Sequence, residues 1–278
     1  MKKFLISTHG FDMGIGGLKV LHKLCHLLNE KGHDAYLIPL DFSQPFSVYE
    51  GYNTKMVTQD VMDNLDDVIV IYPESWYGNY LNAPNVVRWI LGFPYQQHVK
   101  TWDTKDLWFW YLPYFFNGEF QTNVDNILYV GETHRDIFYD MNLSRNGSCW
   151  TLRKSQVTAD HYSHPDGTFI PYHAAGDLVS LSMLFNSKET FYCYDNYTYL
   201  TMQSLMCNTD TIVIPNKLHN KEQFLAGFEL NKYIAYGESD LNRSRSIRNE
   251  FFDHLNFVEN NTLNQLDIFV EKCYAYFK

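Results

Sequence analysis

The sequence predicts an α/β fold with two Rossmann-like halves, and three observations lead to this prediction. The chain has 278 residues, which is long for one ordinary domain and sufficient for two small ones. An apolar strand pattern, a glycine-rich loop and a helical pattern follow one another from Lys3 to Pro39. The stretch from Phe191 to Pro215 repeats the order of strand, turn, helix and strand. Both halves therefore contain the unit from which parallel sheets are built.

The first half opens with a strand at Lys3 to Thr8, followed by the loop His9 to Gly17. The predicted helix after this loop has apolar residues at helical spacing, namely Leu18, Leu21, Leu24, Cys25 and Leu28. Gly32 ends the helix, and Ala35 to Pro39 form the second strand. A dinucleotide-binding loop needs G-x-G-x-x-G, but Lys19 occupies the position of the third glycine. The loop therefore argues against an NAD-dependent enzyme, which is the weakest of the functional hypotheses.

Four more strand patterns follow in the first half, at 68–72, 86–91, 107–112 and 126–130. The first of them leads into a loop that contains Glu74, Trp76 and Tyr77. Because loops at the carboxyl ends of parallel strands commonly hold ligands in α/β proteins, these three residues are candidates for a substrate site. The alternative is that the aromatic residues only pack against their neighbours.

The second half is most informative between Phe191 and Pro215. Phe191 to Tyr194 suit a short buried strand, and Thr211 to Pro215 are a β-branched run closed by proline. Between them, Asp195 and Asn196 can cap a helix that is predicted to begin with Tyr197 and Thr198. The first N–H groups of a helix are unpaired and carry partial positive charge. A helix that begins beyond a parallel strand is therefore a place where phosphate groups bind.

This stretch resembles the donor-binding unit of GT-B glycosyltransferases. In that family an acidic residue after a strand is followed eight positions later by a second one, just before a small-residue turn. Here Asp195 and Gln203 stand at those two positions, and Cys207 to Thr209 form the turn. Gln203 replaces the usual Glu and Asn208 the usual Gly. An amide still hydrogen-bonds ribose hydroxyls, and Asn tolerates the left-handed conformation.

The core of Tyr194, Asp195 and Thr198 is similar to a variant of the family found in polysaccharide-modifying and viral glycosyltransferases. The resemblance implies a GT-B architecture, in which two Rossmann-like domains face a cleft and a terminal helix crosses back to the first domain. The polar turn between Met141 and Gly147 is the predicted boundary. Residues 1–145 would then bind the acceptor, and residues 146–278 the nucleotide sugar.

The resemblance also implies roles for particular residues. Arg153 and Lys154 follow a strand pattern at the start of the second half and would hold the donor diphosphate. Asp195 would orient the sugar hydroxyls and Gln203 the ribose. The predicted residues are Arg153, Lys154 and Asp195 for catalysis; Gly16, Gly17, Tyr194, Tyr197, Thr198 and Gln203 for donor binding; and His9, Asp12 and Glu74 on the acceptor side.

Simpler roles remain open for several of these side chains. Asp195 can be a plain helix cap, and Arg153 with Lys154 can be an exposed charged turn. His9 can close the end of the first strand, while Asp12 can fix the turn that follows it.

The reaction implied is transfer of a hexose or pentose from a nucleoside-diphosphate sugar to a glycan, as in polysaccharide biosynthesis. The D-x-D motif of metal-dependent GT-A enzymes is absent from the sequence, so no metal and no cofactor are expected. The acidic pair accompanies retention of configuration in the family, but Gln203 breaks that pair. Retention is therefore a hypothesis, and an inverting enzyme would need a base such as Asp12 or His9.

Charge and composition limit the remaining alternatives. The net charge is −10 and the isoelectric point is near 5.5, so a large nucleic-acid-binding surface is not expected. A glycosyltransferase that acts on modified DNA is one alternative, and a nucleotide- or sugar-binding protein without turnover is another. Five scattered cysteines without a C-x-x-C pair indicate reduced, buried thiols. The sequence shows no signal-peptide pattern and no membrane-spanning run, which favours a cytoplasmic protein.

Overall fold

The fold is described here for residues 2–116, 124–153, 164, 166–217 and 219–278 of a computed structural model of the chain. The chain divides into two compact units. The first unit comprises Met1–Asp12, Gly17–Glu132 and Glu259–Lys278, and the second comprises Met13–Gly16 and Thr133–Val258. The chain thus passes into the second unit after Glu132, earlier than the predicted boundary at residue 145.

The first unit is an α/β sandwich built on a parallel sheet of five strands in the order β2-β1-β3-β4-β5. In chain order its elements are β1 (Lys3–Thr8), α1 (Gly16–Glu30), β2 (Ala35–Pro39), α2 (Gln59–Asp63), β3 (Val68–Pro73), β4 (Val86–Ile90), α3 (Gln96–Val99) and β5 (Leu107–Trp110). The predicted strand at 126–130 is wrong. Ile127 makes only an isolated bridge to Trp110 in this region.

Both faces of this sheet are covered, which explains why its strands are apolar without a clear alternation. On one face Leu5 and Val70 pack in a cluster with Val61 of α2. On the other face Phe4 and Phe109 contact Phe269, at ring distances of 5.8 and 4.8 Å. Phe269 belongs to the last helix, α8 (Phe251–Tyr276), which begins in the second unit and ends in the first.

The second unit is built on another parallel sheet of five strands, in the order β10-β9-β8-β6-β7. Its elements are β6 (Ser148–Thr151), β7 (Thr168–Phe169), α4 (Leu178–Ser187), β8 (Thr190–Cys193), α5 (Tyr199–Met206), β9 (Asp210–Val213), α6 (Lys221–Gly227), β10 (Ala235–Tyr236) and α7 (Leu241–Ser246). The prediction of an α/β chain with two parallel sheets is confirmed. How the two units are arranged as a GT-B enzyme stays a prediction.

The turn between α5 and β9 has the geometry that the sequence predicts. Asn208 has a φ of 59°, so it adopts the left-handed conformation that Gly would otherwise supply. Its side-chain amide donates to Asp140 at 2.8 Å. Arg145 holds the same turn by donating to the carbonyl of Cys207 at 2.6 Å. Asn208 therefore replaces Gly here without loss of the turn.

All five cysteines are buried and none forms a disulfide, as predicted. Burial raises the pKa of the Cys25 and Cys149 thiols to about 12, so both stay protonated at neutral pH. None of the helices in the described part of the chain combines the length and the apolar character needed to cross a bilayer.

Candidate functional site

The candidate site lies at the carboxyl edge of the second sheet, where adjacent parallel strands end side by side. Arg153 follows β6, Asp195 follows β8 and Tyr172 follows β7. Because β6 lies between β8 and β7 in the sheet, Arg153 is the central residue of the three. In open α/β sheets, ligands bind at this kind of edge.

Asp195 fixes the backbone at Arg153. Its carboxylate accepts the N–H of Arg153, with distances of 3.4 Å to Oδ1 and 3.2 Å to Oδ2. Asp195 is only 2% exposed. The sequence predicted that Asp195 binds sugar hydroxyls or caps a helix. In the structure its carboxylate instead connects the loop after β6 to the loop after β8.

The Arg153 side chain lies against Tyr172. Nη2 donates to the Tyr172 carbonyl, and the guanidinium carbon lies 4.7 Å from the centre of the Tyr172 ring. Burial lowers the pKa of Arg153, and the negative charge of the nearby Asp195 carboxylate partly opposes that shift. An arginine remains protonated under such conditions, so the site holds a positive charge.

The N–H groups of this guanidinium that have no acceptor within the described residues determine which ligands it can bind. Within the described residues Nε is buried without a hydrogen-bond partner. The one side-chain hydrogen bond of Arg153 to a described residue comes from Nη2, so Nη1 has no bonding partner within the described residues either. Arg153 thus has N–H groups open to an anion, and the planar guanidinium suits phosphate oxygens. Lys154, the second predicted cation, lies outside the described residues.

The helix after Asp195 begins later than predicted. Tyr197 and Thr198 are not helical, because α5 starts at Tyr199 with Thr198 as its N-cap. The Thr198 hydroxyl accepts the N–H of Leu200 at 3.4 Å, so one of the first N–H groups is already occupied. Asp195 and Asn196 therefore do not cap the helix. Asn, Asp and Thr all form good caps, which is why composition alone could not place the start.

Two side-chain amides, those of Asn196 and Asn216, join the loop after β8 to the loop after β9 along the same edge of the sheet. Asn216 follows β9, and its Nδ2 donates to Oδ1 of Asn196 at 2.7 Å. Asn196 returns a bond from its own Nδ2 to Oδ1 of Asn216 at 3.3 Å. Sequence reasoning missed this pair and also Tyr172. The rule that ligands bind beyond parallel strands would have drawn attention to Asn216.

Two predicted donor residues lie inside the second unit. Tyr194 is 3% exposed and donates its backbone N–H to the carbonyl of Thr151 at 3.1 Å. Gln203, on α5, is also 3% exposed. Both side chains are thus buried, whereas Arg153 is only half-buried. Their roles toward a ribose or sugar remain predictions.

The predicted glycine loop ends sooner than expected, because Gly16 and Gly17 are the first two residues of α1. Neither has the positive φ that would require glycine. A Cβ added at Gly17 would meet only the Leu91 side chain, at an ordinary 3.9 Å. Backbone strain therefore does not explain these two glycines.

The predicted acceptor-side residues lie beyond two strands of the first unit. His9 and Asp12 are exposed after β1, and the His9 carbonyl accepts from Nε2 of His22 at 3.0 Å. Glu74 follows β3, and its Oε2 accepts the N–H of Leu91 at 2.8 Å. The Glu74 carboxylate thus connects the loops after β3 and β4, which is a structural use that does not require an acceptor.

Aromatic rings pack the loop after β2 onto α1, a feature that the sequence did not indicate. Phe11 stacks on Tyr49 at 5.1 Å, and His22 stacks on Phe46 at 5.7 Å. His26 in turn stacks on Tyr52 at 5.1 Å. These contacts fix the surroundings of the first loop, where His9 and Asp12 lie.

Comparison with known proteins gives structural similarity only. No family model and no curated protein matches the chain. It is similar to a mutant of T4 phage BGT in complex with UDP-glucose, with 12% identity and a TM-score of 0.45 over 98% of this chain and 99% of that chain. It is also similar to the glycotransferase of kitacinnamycin, with 9% identity and a TM-score of 0.40 over 99% of this chain and 96% of that chain. Similarity at this level carries no weight for function.

Proposed function

We propose that the chain is a GT-B-type glycosyltransferase that moves a sugar from a nucleoside-diphosphate sugar to a glycan acceptor. The observation that supports this most directly is Arg153. It is a half-buried cation at the carboxyl edge of a parallel sheet, with N–H groups that no described residue occupies. An anionic ligand at this edge would complete its hydrogen bonding, and a diphosphate is the anion that the fold class most often binds there.

The proposed catalytic role of Arg153 follows from the position of the charge that develops during sugar transfer. When the bond between the sugar and the diphosphate breaks, negative charge accumulates on the leaving group. A guanidinium held in place before the reaction stabilises that charge without reorganising, and one such donor is worth about 3–4 kcal/mol by analogy with oxyanion-hole variants. Lys154, the next residue, would add a second charge. The start of α5 contributes less than predicted, since Thr198 already occupies the N–H of Leu200.

The stereochemical outcome depends on residues in both units and stays a proposal. Retention would use the position of Gln203, where the family pattern has an acid. Inversion would need a base on the acceptor side, and His9 and Asp12 are the exposed candidates. Product analysis by NMR distinguishes these outcomes, because an inverted anomer would rule out retention.

The acceptor is proposed to be a glycan rather than modified DNA. A net charge of −10 opposes binding to a polyanion. A gel-shift titration against duplex DNA at low and moderate salt tests this choice. Salt-dependent binding in the micromolar range or tighter would favour a DNA acceptor.

A protein of the same fold that binds a nucleotide sugar without turnover is the second candidate. The hydrogen bond between the Asp195 carboxylate and the Arg153 N–H favours this binding-only candidate, because the carboxylate is already used within the protein. A transfer or hydrolysis assay with the donor that binds most tightly distinguishes the two candidates. Release of free nucleoside diphosphate at a rate abolished by Arg153→Ala would exclude the binding-only protein.

A thermal-shift panel of nucleotides and nucleotide sugars tests the proposal as a whole. We expect one nucleoside diphosphate or its sugar to raise the Tm of the wild-type protein, by mass action on the folded state. Arg153→Ala should abolish the shift, whereas Lys55→Ala, which removes an exposed cation of the first unit, should leave it unchanged. A panel in which nothing binds, or only NAD binds, would contradict the proposed function.

A further inference from the structure

Tyr172 holds the Arg153 guanidinium in two ways at once. Its backbone carbonyl accepts from Nη2, and its ring lies under the guanidinium at 4.7 Å. The ring is nevertheless 55% exposed, so burial of the ring itself contributes little to the core. An aromatic face and a carbonyl together fix both the plane and the direction of an arginine side chain.

The backbone around Tyr172 is itself fixed to the strand that leads into Arg153. Ile170 donates its N–H to the carbonyl of Trp150 at 2.8 Å, and its carbonyl accepts from the Thr151 hydroxyl at 3.1 Å. Pro171 follows with a φ of −73° and begins a short 3-10 turn at Tyr172. The position of Tyr172 relative to Arg153 is thus set by β6 and does not depend on the Tyr172 side chain.

We propose that Tyr172 is a positioning residue for Arg153, holding the guanidinium so that its Nη1 side is presented to the diphosphate of the donor. This inference rests on the proposed function. The ring restricts rotation about the long arginine side chain, so that less conformational entropy is lost when the anion binds. Tyr172 acts through Arg153 and need not touch the diphosphate.

The other use of an exposed tyrosine beside a diphosphate site is stacking on the nucleobase. The two roles predict different ligand dependences. A positioning residue affects every ligand that has the diphosphate, including inorganic pyrophosphate. A stacking residue affects nucleotides and leaves the affinity for pyrophosphate unchanged, because pyrophosphate has no base.

The test is a calorimetric titration with pyrophosphate and with ADP, GDP and UDP, on wild type, Tyr172→Leu, Tyr172→Phe, Arg153→Ala and the Tyr172/Arg153 double variant. We expect Tyr172→Leu to weaken pyrophosphate and the preferred nucleotide by the same factor, about two- to tenfold. Tyr172→Phe keeps the ring and the carbonyl and should bind like wild type. Titration at high ligand concentration measures the weak binding that remains in Arg153→Ala, and Tyr172→Leu should not weaken that binding further, since Tyr172 acts through Arg153.

A matched control is Tyr139→Leu, because Tyr139 is 49% exposed and lies in the same unit. It should bind every ligand like wild type. Equal affinities for wild type and Tyr172→Leu, additive losses in the double variant, or a loss for nucleotides alone would each overturn the positioning role while leaving the proposed function intact. A wild-type protein that binds neither pyrophosphate nor any of the nucleotides would overturn the proposed function and the positioning role together.

Discussion

Two arginines, one in each unit, both lie against aromatic rings but differ in position: Arg88 is the middle residue of β4, whereas Arg153 lies just beyond the end of β6. Arg88 of β4 lies over Tyr72 at 4.9 Å and Trp102 at 5.0 Å, as Arg153 lies over Tyr172. Burial lowers the pKa of both. The difference is a carboxylate, because Nε of Arg88 donates to Asp106 at 2.7 Å. No carboxylate pairs with the Arg153 guanidinium in the described part of the chain.

The comparison separates a structural cation, Arg88, from the proposed binding cation, Arg153. Arg88 is fully buried, and its Nη2 donates to the Gly78 carbonyl at 2.7 Å. It holds the loop after β3 in place and is inaccessible to a ligand. Arg153 is only half-buried, and the Asp195 carboxylate contacts its backbone while the guanidinium keeps N–H groups available. Full burial and an internal carboxylate partner together distinguish the structural arginine from the proposed binding one, whereas stacking on an aromatic ring is common to both.

The largest expected effect comes from breaking the structural pair. Asp106→Ala leaves Arg88 as an unpaired charge with no access to water and should destabilise the protein by about 3–5 kcal/mol. Urea denaturation measures this. The control is Asp34→Ala, which removes an exposed partner of Lys55 and should cost at most about 1 kcal/mol. Similar losses for the two variants would contradict the structural role of the Arg88 pair.

Asp195→Ala should have the next largest effect, because it removes the acceptor of the Arg153 N–H. We expect a loss of stability of about 1–3 kcal/mol, together with weaker nucleotide binding. Asp195→Asn keeps an oxygen that can accept this N–H, so this variant should retain most of the stability and most of the nucleotide affinity. If Asp195→Asn bound nucleotide as poorly as Asp195→Ala while remaining stable, the carboxylate would be acting on the ligand directly.

The amide pair beside the site should contribute less. Asn216→Ala leaves the Asn196 amide without this partner and should cost about 1 kcal/mol in the free energy of unfolding. The Asn196→Ala and Asn216→Ala single variants and their double variant form a mutant cycle. A coupling energy near zero would show that the two amides do not stabilise one another in solution.

The smallest effect concerns His22, beside the first loop. Burial lowers the pKa of His22, so the folded state disfavours its charged form. The unfolded chain binds this proton below about pH 6.5, and stability is therefore lost as the pH falls from there through the folded pKa. Between pH 7.5 and 5.5, wild type should therefore lose more stability than His22→Asn, as measured by urea denaturation. Equal losses would show that His22 is not protonated on unfolding.

Much of the fold was predictable because strands buried on both faces leave a clear pattern. Val68–Pro73 is buried at every position and reads as a continuous apolar run. Asp210–Val213, also buried throughout, follows a predicted turn with Asn208 at positive φ. The predicted strand at 126–130 failed, since an apolar run at the edge of a sheet can pack without forming a ladder. Apolar character predicts burial more reliably than it predicts pairing.

The sequence could predict that some candidate residues lie close together, but not which contacts they make. That Arg153 and Asp195 come together follows from their positions after two strands that pair. That the Asp195 carboxylate accepts the Arg153 backbone N–H does not follow, because the sequence cannot show which atoms of a loop remain unpaired. Tyr172 has no motif of its own, and its contact with Arg153 depends on the pairing of β7 with β6.

The most direct measurement is arginine-selective labelling with phenylglyoxal, followed by peptide mass spectrometry, on the folded protein with and without the nucleoside diphosphate that stabilises it most. Arg153 should react in the free protein and be protected by the nucleotide, whereas Arg88 should react in neither sample. Labelling of Arg153 that the nucleotide leaves unchanged, or equal reactivity of the two arginines, would contradict the assignment of Arg153 as the cation that binds the donor diphosphate.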